Sequence, residues 1–351
     1  MKISGNDKRD YLLRHGYVGA QREAGRRLLC VLLGAMLFCC SLLCGCGRQG
    51  EEEQGPKAVR IGSLKGPTSL GILFLMEDAK ENPADYPYEF RMATGADELL
   101  PLLVKGDLDI ALVPANVAAA LYQKTEGGVT VIDINTLGVL YLVTGARDIE
   151  TVADLKGRTI CLTGKGTTPE ASLKYILDQN GLEPNDYKLE YKSEAAEVAA
   201  LLARDPTAMG LLPQPFATAA LMQNENLHIA LDMNAQWEAL QGEEPGSMVT
   251  GVTIVRNDFL REHKEAVEAF LEHHADSVAA VNADPDTGAV LAVEAGIVAK
   301  EAMAKAAIPQ CNLVCITGEE MKSALSAYLK VLAEFQAELV GGKLPGEDFY
   351  Y

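Results

Sequence analysis

Aromatic side chains are scarce in this 351-residue chain, at 6% with a single tryptophan, Trp237. A lone large ring cannot build an aromatic cage around a cationic ligand. Positive charge is short as well: 31 Lys and Arg against 49 Asp and Glu give a formal net charge of -18. No basic stripe follows residue 27, so no surface can neutralise a run of phosphates, and nucleic acid is excluded as a partner. The G-x-x-x-x-G-K-[ST] spacing is missing, which excludes a phosphate P-loop. Of eight cysteines, only Cys161, Cys311 and Cys315 lie beyond residue 46, too few for a disulfide framework. If Cys311 to Cys315 is extended, its ends lie about 13 Å apart, beyond the roughly 7 Å a bridge allows. His228, His263, His273 and His274 show no zinc-ligand spacing with these cysteines, so no metal and no cofactor is expected. What is present is apolar: 48% hydrophobic residues can bury sizeable cores, and the length allows two domains.

The first 45 residues stand apart. Lys2, Lys8, Arg9, Arg14, Arg22, Arg26 and Arg27 outnumber Asp7, Asp10 and Glu23, and then Leu28 to Cys44 runs without a charge. A basic region followed by an apolar one is the pattern of a secretory signal peptide. The run ends in Leu43-Cys44-Gly45-Cys46, which resembles a bacterial lipobox and marks Cys46 for lipidation. An uncleaved anchor is the other reading, since 17 apolar residues reach the short edge of a spanning helix. Either way the remainder lies outside the cytoplasm. Residues 46–56 form a lipid-anchored linker without apolar side chains between Gly47 and Pro56, a spacer of roughly 15 to 20 Å. Residues 1–45 hold seven of the 31 basic and three of the 49 acidic side chains, leaving 24 and 46, a net of -22. Such a surface stays soluble and repels an anionic membrane face.

From residue 57 short β-rich runs alternate with helical ones. Ala58–Gly62 precedes a helix from Thr68, Tyr88–Met92 precedes Ala96–Lys105, and Ile110–Val113 precedes Asn116–Tyr122. A second cycle runs through Thr159–Leu162, a helix over Thr168–Asn180, Tyr187–Tyr191, Glu194–Ala203, Ala208–Leu212, Pro215–Gln223 and His228–Asp232. Apolar runs of four to six residues bounded by Gly and Pro, with helices between them, predict parallel strands covered on both faces. Val129–Thr144 and Gly246–Val255 are the strand pairs that join the two sheets. After Asn257 the chain reads as helical, over Lys264–Ala280, Asp286–Ala295 and Glu319–Glu338, with apolar residues at three- and four-residue spacing.

Open α/β sheets bind ligands beyond the carboxyl ends of their strands, so the loops after each strand carry the candidates. After the first strand, Lys65 can meet a ligand charge while Thr68 and Ser69 either bind ligand or cap the helix. Asn116 stands in the same position after the third strand. Gly164-Lys165-Gly166-Thr167-Thr168-Pro169-Glu170 resembles an anion cradle, with glycines that admit close backbone approach and Pro169 set for the first helical turn. Thr167 and Thr168 are candidate contacts; Thr167-x-x-Glu170 also matches a capping box, whose carboxylate would repel an anion there. Gln214 and Phe216 offer an amide and an aromatic face after a later strand. Trp237 completes the candidates, although a lone Trp is more often packed than ligand-stacking.

The lipobox, D-L-D-I-A-L-V-P at Asp107 to Pro114, T-V-A-D-L-K-G-R-T-I at Thr151 to Ile160, the G-K-G-T-T-P loop and L-L-P-Q-P-F at Leu211 to Phe216 together carry a resemblance. The chain is similar to extracytoplasmic substrate-binding lipoproteins of ABC importers, in the nitrate/sulfonate/taurine and thiamine-precursor binding group. The resemblance spans nearly all of residues 57–351. It implies the α/β type II periplasmic-binding-protein fold: two lobes with mainly parallel sheets, two crossover strands and a helical C-terminal segment. Residues 57–138 with 247–351 would form lobe I, and 139–246 lobe II. It further implies that Lys65 to Ser69, Thr94-Gly95, Asn116, Thr167-Thr168 and Gln214 to Phe216 line the cleft. The expected function is solute capture by a monomer, lipid-anchored at the cell membrane, that delivers a sulfonate, nitrate, taurine or pyrimidine-like solute to a permease driven by a separate ATPase. Two alternatives stay open: an enzyme on the same fold, as in relatives that make menaquinone or pyrimidine precursors, and an envelope interaction lipoprotein with a vestigial cleft. The enzyme would need an acid, base or nucleophile in the cleft, and the strand-end loops hold no His or Cys.

Overall fold

The structure, a computed structural model, describes residues 58–241 and 246–351. The signal peptide, Cys46 and the linker lie outside the described residues. No helix among the described residues is long and apolar enough to cross a membrane.

Eleven strands among the described residues form two sheets. One has the order β11-β4-β10-β3-β1-β2, from Leu313–Ile316, Val129–Leu137, Val249–Arg256, Ile110–Pro114, Val59–Leu64 and Tyr88–Ala93. The other has the order β7-β6-β8-β5-β9, from Lys188–Tyr191, Thr159–Leu162, Met209–Pro213, Leu140–Thr144 and His228–Asp232. Strands β1, β2 and β3 pair in parallel, as do β6, β7 and β8. The remaining pairings are antiparallel. Strand β10, returning from the second sheet's segment, runs against β3 and β4; β5, arriving from the first, runs against β8 and β9. Each sheet therefore repeats one plan, and each receives a reversed strand where the chain crosses over. This is the two-lobed α/β fold expected from the sequence.

The crossings are held by hydrogen bonds at one point. Gly138 and Val139 separate β4 from β5. The Asn234 side-chain oxygen, on the helix Met233–Leu240, accepts from the Gly138 N–H at 3.2 Å and from the Met248 N–H at 3.2 Å. One buried amide thus ties both crossing segments. Gly138 is required there, because a Cβ would lie 2.8 Å from Asn234 Cβ. Asn312 Nδ2 donates to the Gly138 carbonyl at 2.6 Å, and Tyr141 OH donates to the Gln310 carbonyl at 2.7 Å.

The core follows from strand alternation. Ile61, Ile110, Leu112, Ile132 and Val255 face Ile72, Leu75, Val267 and Phe270 on one side of the first sheet. Tyr141, Val143, Cys161 and Leu212 pack on Val198, Leu202, Ala217 and Ala220 beside the second. The largest cluster joins both sheets through the helix Gly318–Phe335, whose Met321, Ala324, Leu325, Tyr328, Leu329 and Leu332 recur at helical spacing. Trp237 belongs to this cluster. It is 1% exposed, with Tyr175 at 4.4 Å and Tyr328 at 5.4 Å between ring centroids. This corrects its place among the candidate ligand contacts, since both its surroundings and its burial are those of packing.

Three elements differ from the sequence reading. Pro67–Ile72 is a 3-10 helix that precedes an α-helix over Leu73–Glu81. The helix Glu301–Ala307 was not anticipated. The segment after Asn257 is not wholly helical, because Leu313–Ile316 pairs with β4 at Thr136 and Ile134. Four residues at a sheet edge carry too short a pattern to separate from a helical stretch. Cys161, Cys311 and Cys315 are all free thiols.

Replacing Asn234 with Ala leaves two buried N–H donors without an acceptor, each at a cost of about 1–3 kcal/mol. Urea unfolding followed by Trp237 fluorescence is expected to show a loss of roughly 2–6 kcal/mol; an unchanged midpoint would contradict the tie.

Candidate functional site

The strand ends deliver two sets of polar loops, one per sheet. Beyond β1 the chain turns at Gly66 into Pro67–Ile72. Ser69 Oγ accepts from the Gly66 N–H at 3.3 Å and donates to the Gly66 carbonyl at 2.9 Å, and Thr68 Oγ1 donates to the Leu64 carbonyl at 3.3 Å. Both hydroxyls are buried and serve the turn. Lys65 is exposed and makes no ion pair among the described residues; its Nζ lies beside Gly296. The Lys65 N–H donates to Ala93 at the end of β2, which brings Thr94 next to this loop. Thr94 is exposed and donates to Glu98 at 2.9 Å. Asn116, in the first turn of Ala115–Lys124, lines a groove of about 740 Å³ with Leu100, Pro101, Val104, Val117 and Leu339.

In the second sheet β6 and β8 are neighbours, paired at Cys161 and Gly210, so the loops that follow them emerge side by side. Gly164 and Gly166 take φ of 76° and 73°, the left-handed region that glycine enters without strain. The expected capping box does not form. Thr167 Oγ1 turns back to the Gly164 carbonyl at 2.6 Å, and Glu170 accepts instead from the Gly166 N–H at 2.7 Å. No side chain caps the helix Thr168–Gln179. Glu170 is buried and salt-bridged to Lys174. Burial pushes its carboxyl up, but Lys174, the Gly166 N–H and Tyr191 outweigh this and hold it below its ordinary value. With its charge matched in this way, Glu170 opposes an anion at this helix start less than its position in the sequence implies. Lys165 Nζ lies 5.4 Å from the Tyr191 ring centroid.

Gln214, after β8, is 2% exposed and its oxygen accepts from Thr218 Oγ1 at 2.8 Å. Its Nε2 is buried without a hydrogen-bond partner among the described residues, and so is the hydroxyl of Ser63 near the end of β1. A buried polar atom left unpaired is costly unless something else meets it. Ser63 escaped the sequence reading; the only signal was a hydroxyl in the otherwise apolar end of V-R-I-G-S-L. Phe216 opens its helix with 37% of its surface exposed, an apolar face beside Gln214. The structure thus gathers Lys65, Thr68, Ser69 and Thr94 in one set, and Thr167, Thr168, Gln214 and Phe216 in the other. Trp237 joins neither.

Residues 127–288 match the model of the family described as NMT1/THI5 like. No curated protein matches the chain. A crystal structure described as an ABC transporter from Parabacteroides distasonis has a TM-score of 0.69 and 24% identity, covering 84% of this chain and 99% of its own. The periplasmic aliphatic sulphonate binding protein SsuA from Escherichia coli has a TM-score of 0.63 and 17% identity, over 84% and 91% of the two chains. The alkanesulfonate-binding protein SsuA from Xanthomonas axonopodis pv. citri, bound to MOPS, has a TM-score of 0.55 and 16% identity, over 83% and 95%. These likenesses show the shared fold.

The stability that Glu170 contributes is present above its ordinary value of 4.5 and is lost as pH falls through its depressed one. Glu170→Ala is expected to cost about 1–3 kcal/mol at pH 7 and to flatten the acid limb of a thermal-midpoint profile. An unaltered acid limb would place that limb's origin elsewhere.

Proposed function

We propose that this protein captures a small solute outside the membrane and delivers it to the permease of an ABC importer. The observation that carries this reading is the repeated sheet plan with a crossing at two places, which sets one group of polar loops at the strand ends of each sheet. In this reading residues 57–138 with 247–351 and residues 139–246 move as two lobes. A solute that touches both favours the closed form by its differential affinity for that form. Lys65, the uncapped start of Thr168–Gln179 and the unpaired Gln214 amide suit an anionic or strongly polar solute. The two SsuA neighbours, described as sulphonate and alkanesulfonate binders, make sulfonates the first class to try.

Thermal unfolding of the full chain against sulfonates, nitrate, taurine, pyrimidines and thiamine tests the reading. A solute at 100 times its Kd adds about 2.7 kcal/mol, a midpoint rise of several degrees. Thr167→Ala combined with Thr168→Ala is expected to weaken binding by more than about 1 kcal/mol while the fold is retained. A destabilised fold with unchanged affinity makes these threonines structural, and turnover of a bound compound replaces capture with catalysis.

We further propose that Cys46 carries the lipid that holds the protein at the extracytoplasmic face of the membrane. Labelling with a radioactive fatty acid is expected in the wild type and lost in Cys46→Ser, with the variant released from the membrane. Label that persists in Cys46→Ser refutes the assignment.

A further inference from the structure

A polar row crosses the first sheet on its buried face. The register places Ser63, Leu112, Thr253 and Asp133 side by side across β1, β3, β10 and β4. Thr253 Oγ1 donates to Asp133 Oδ1 at 2.8 Å, and Asn135 Nδ2 donates to Thr253 Oγ1 at 3.2 Å. His274, on the helix Lys264–Ala283, stacks on Phe270 and sets Nδ1 3.2 Å from Asp133 Oδ2. Cys315 on β11 closes the group: a carboxylate oxygen, an imidazole nitrogen and the thiol sulfur all lie within 4.8 Å of one another.

Asp133 and His274 are both wholly buried, and no Lys or Arg among the described residues pairs with this carboxylate. A buried carboxylate needs compensating positive charge. The donor set of one oxygen, one nitrogen and one sulfur suits zinc, and is too soft for calcium or magnesium. Tetrahedral zinc, with bonds of about 2.0 to 2.3 Å, keeps its donors about 3.3 to 3.6 Å apart. The Asp133 and His274 atoms, 3.2 Å apart, stand close to that spacing, and Cys315, half-buried on a short edge strand, would exchange its 3.9 Å contact with the Leu271 carbonyl for the metal.

We propose that Asp133, His274 and Cys315 form a zinc site, with water as the fourth ligand, that fastens β11 and the helix Lys264–Ala283 to β4. On binding, the sulfur–zinc bond forms as the thiol proton leaves to solvent, and the imidazole binds neutral with its proton on the other nitrogen. Zinc with a carboxylate, a thiolate and a neutral imidazole leaves the buried site uncharged. The absence of zinc-ligand spacing in the sequence does not bear on this site, because its ligands come from three separate elements; Asp133 and His274 alone are 141 residues apart.

The test uses the full chain stripped with a chelator and titrated with Co²⁺, then with Zn²⁺. The wild type is expected to release one proton as it develops tetrahedral cobalt absorption with a thiolate charge-transfer band at one equivalent of Co²⁺, and one equivalent of Zn²⁺ is expected to remove that band without further proton release. Cys315→Ser and His274→Gln are expected to lose both signals, and Cys161→Ser to keep them. The five cysteines at or before residue 46 are common to every sample, so the difference between variants isolates this site. Should His274→Gln fail to fold, the half-buried Cys315→Ser carries the comparison, with its fold checked by thermal unfolding. No cobalt band in the folded wild type, or an equal band in Cys315→Ser, overturns the site.

Discussion

The double crossing between the two sheets depends on the Asn234 side chain. A strand that leaves one sheet for another gives up its ladder partners over the crossing residues, and buried backbone groups there need other acceptors. Asn234 supplies one oxygen to both N–H groups, at Gly138 and Met248, from a helix that begins just after β9. Its position is set by Asp232, which caps that helix by accepting from the N–H groups of Asn234 and Ala235. A change of angle between the lobes therefore acts on a point where two strands, one helix and the 310–312 turn already meet. Few residues thus join the crossing segments, the arrangement that the two-lobe reading requires of a hinge.

The C-terminal helix Gly318–Phe335 adds apolar contact between the two sheets. It packs on the first sheet's strands, and Tyr328 reaches the second half, where its hydroxyl lies 3.3 Å from Ser172 Oγ and its ring meets Trp237. A hydrophobic cluster continuous across both sheets resists being pulled apart, because every exposed apolar area costs free energy.

Much of this was legible in the sequence because alternation of short apolar runs and amphipathic helices is a local signal. The strands at 59–64, 88–93, 110–114, 159–162 and 209–213 lie within a residue or two of the pattern, and so do the helices between them. What escaped is non-local. Strand β11 exists because β4 offers it an edge, and Trp237 is buried because Tyr175 and Tyr328 arrive from distant helices. Glu170 was read as a capping-box member, and the left-handed turn at Gly166 gives it a different N–H to bind. The loop residues were legible as strand ends; their hydrogen-bond partners were not.

The two sheets share a plan but not a chemistry, and that contrast bears on what the polar row is for. In the second sheet the face toward Val198 and Leu202 carries Tyr141, Val143, Cys161 and Leu212, an ordinary apolar layer. In the first, the equivalent outer face places Ser63, Thr253 and Asp133 among Ile61, Ile110 and Val255, with His274 above them. The fold alone does not demand these groups, since the second sheet closes the same topology without them. Burying a hydroxyl, a carboxylate and an imidazole where apolar side chains would pack costs stability unless their charges and lone pairs are met. Hydrogen bonds account for Thr253 and for one nitrogen of His274, while Ser63 Oγ and His274 Nε2 remain unpaired. A row that the architecture can do without, and that its own hydrogen bonds do not fully satisfy, points to a requirement beyond packing.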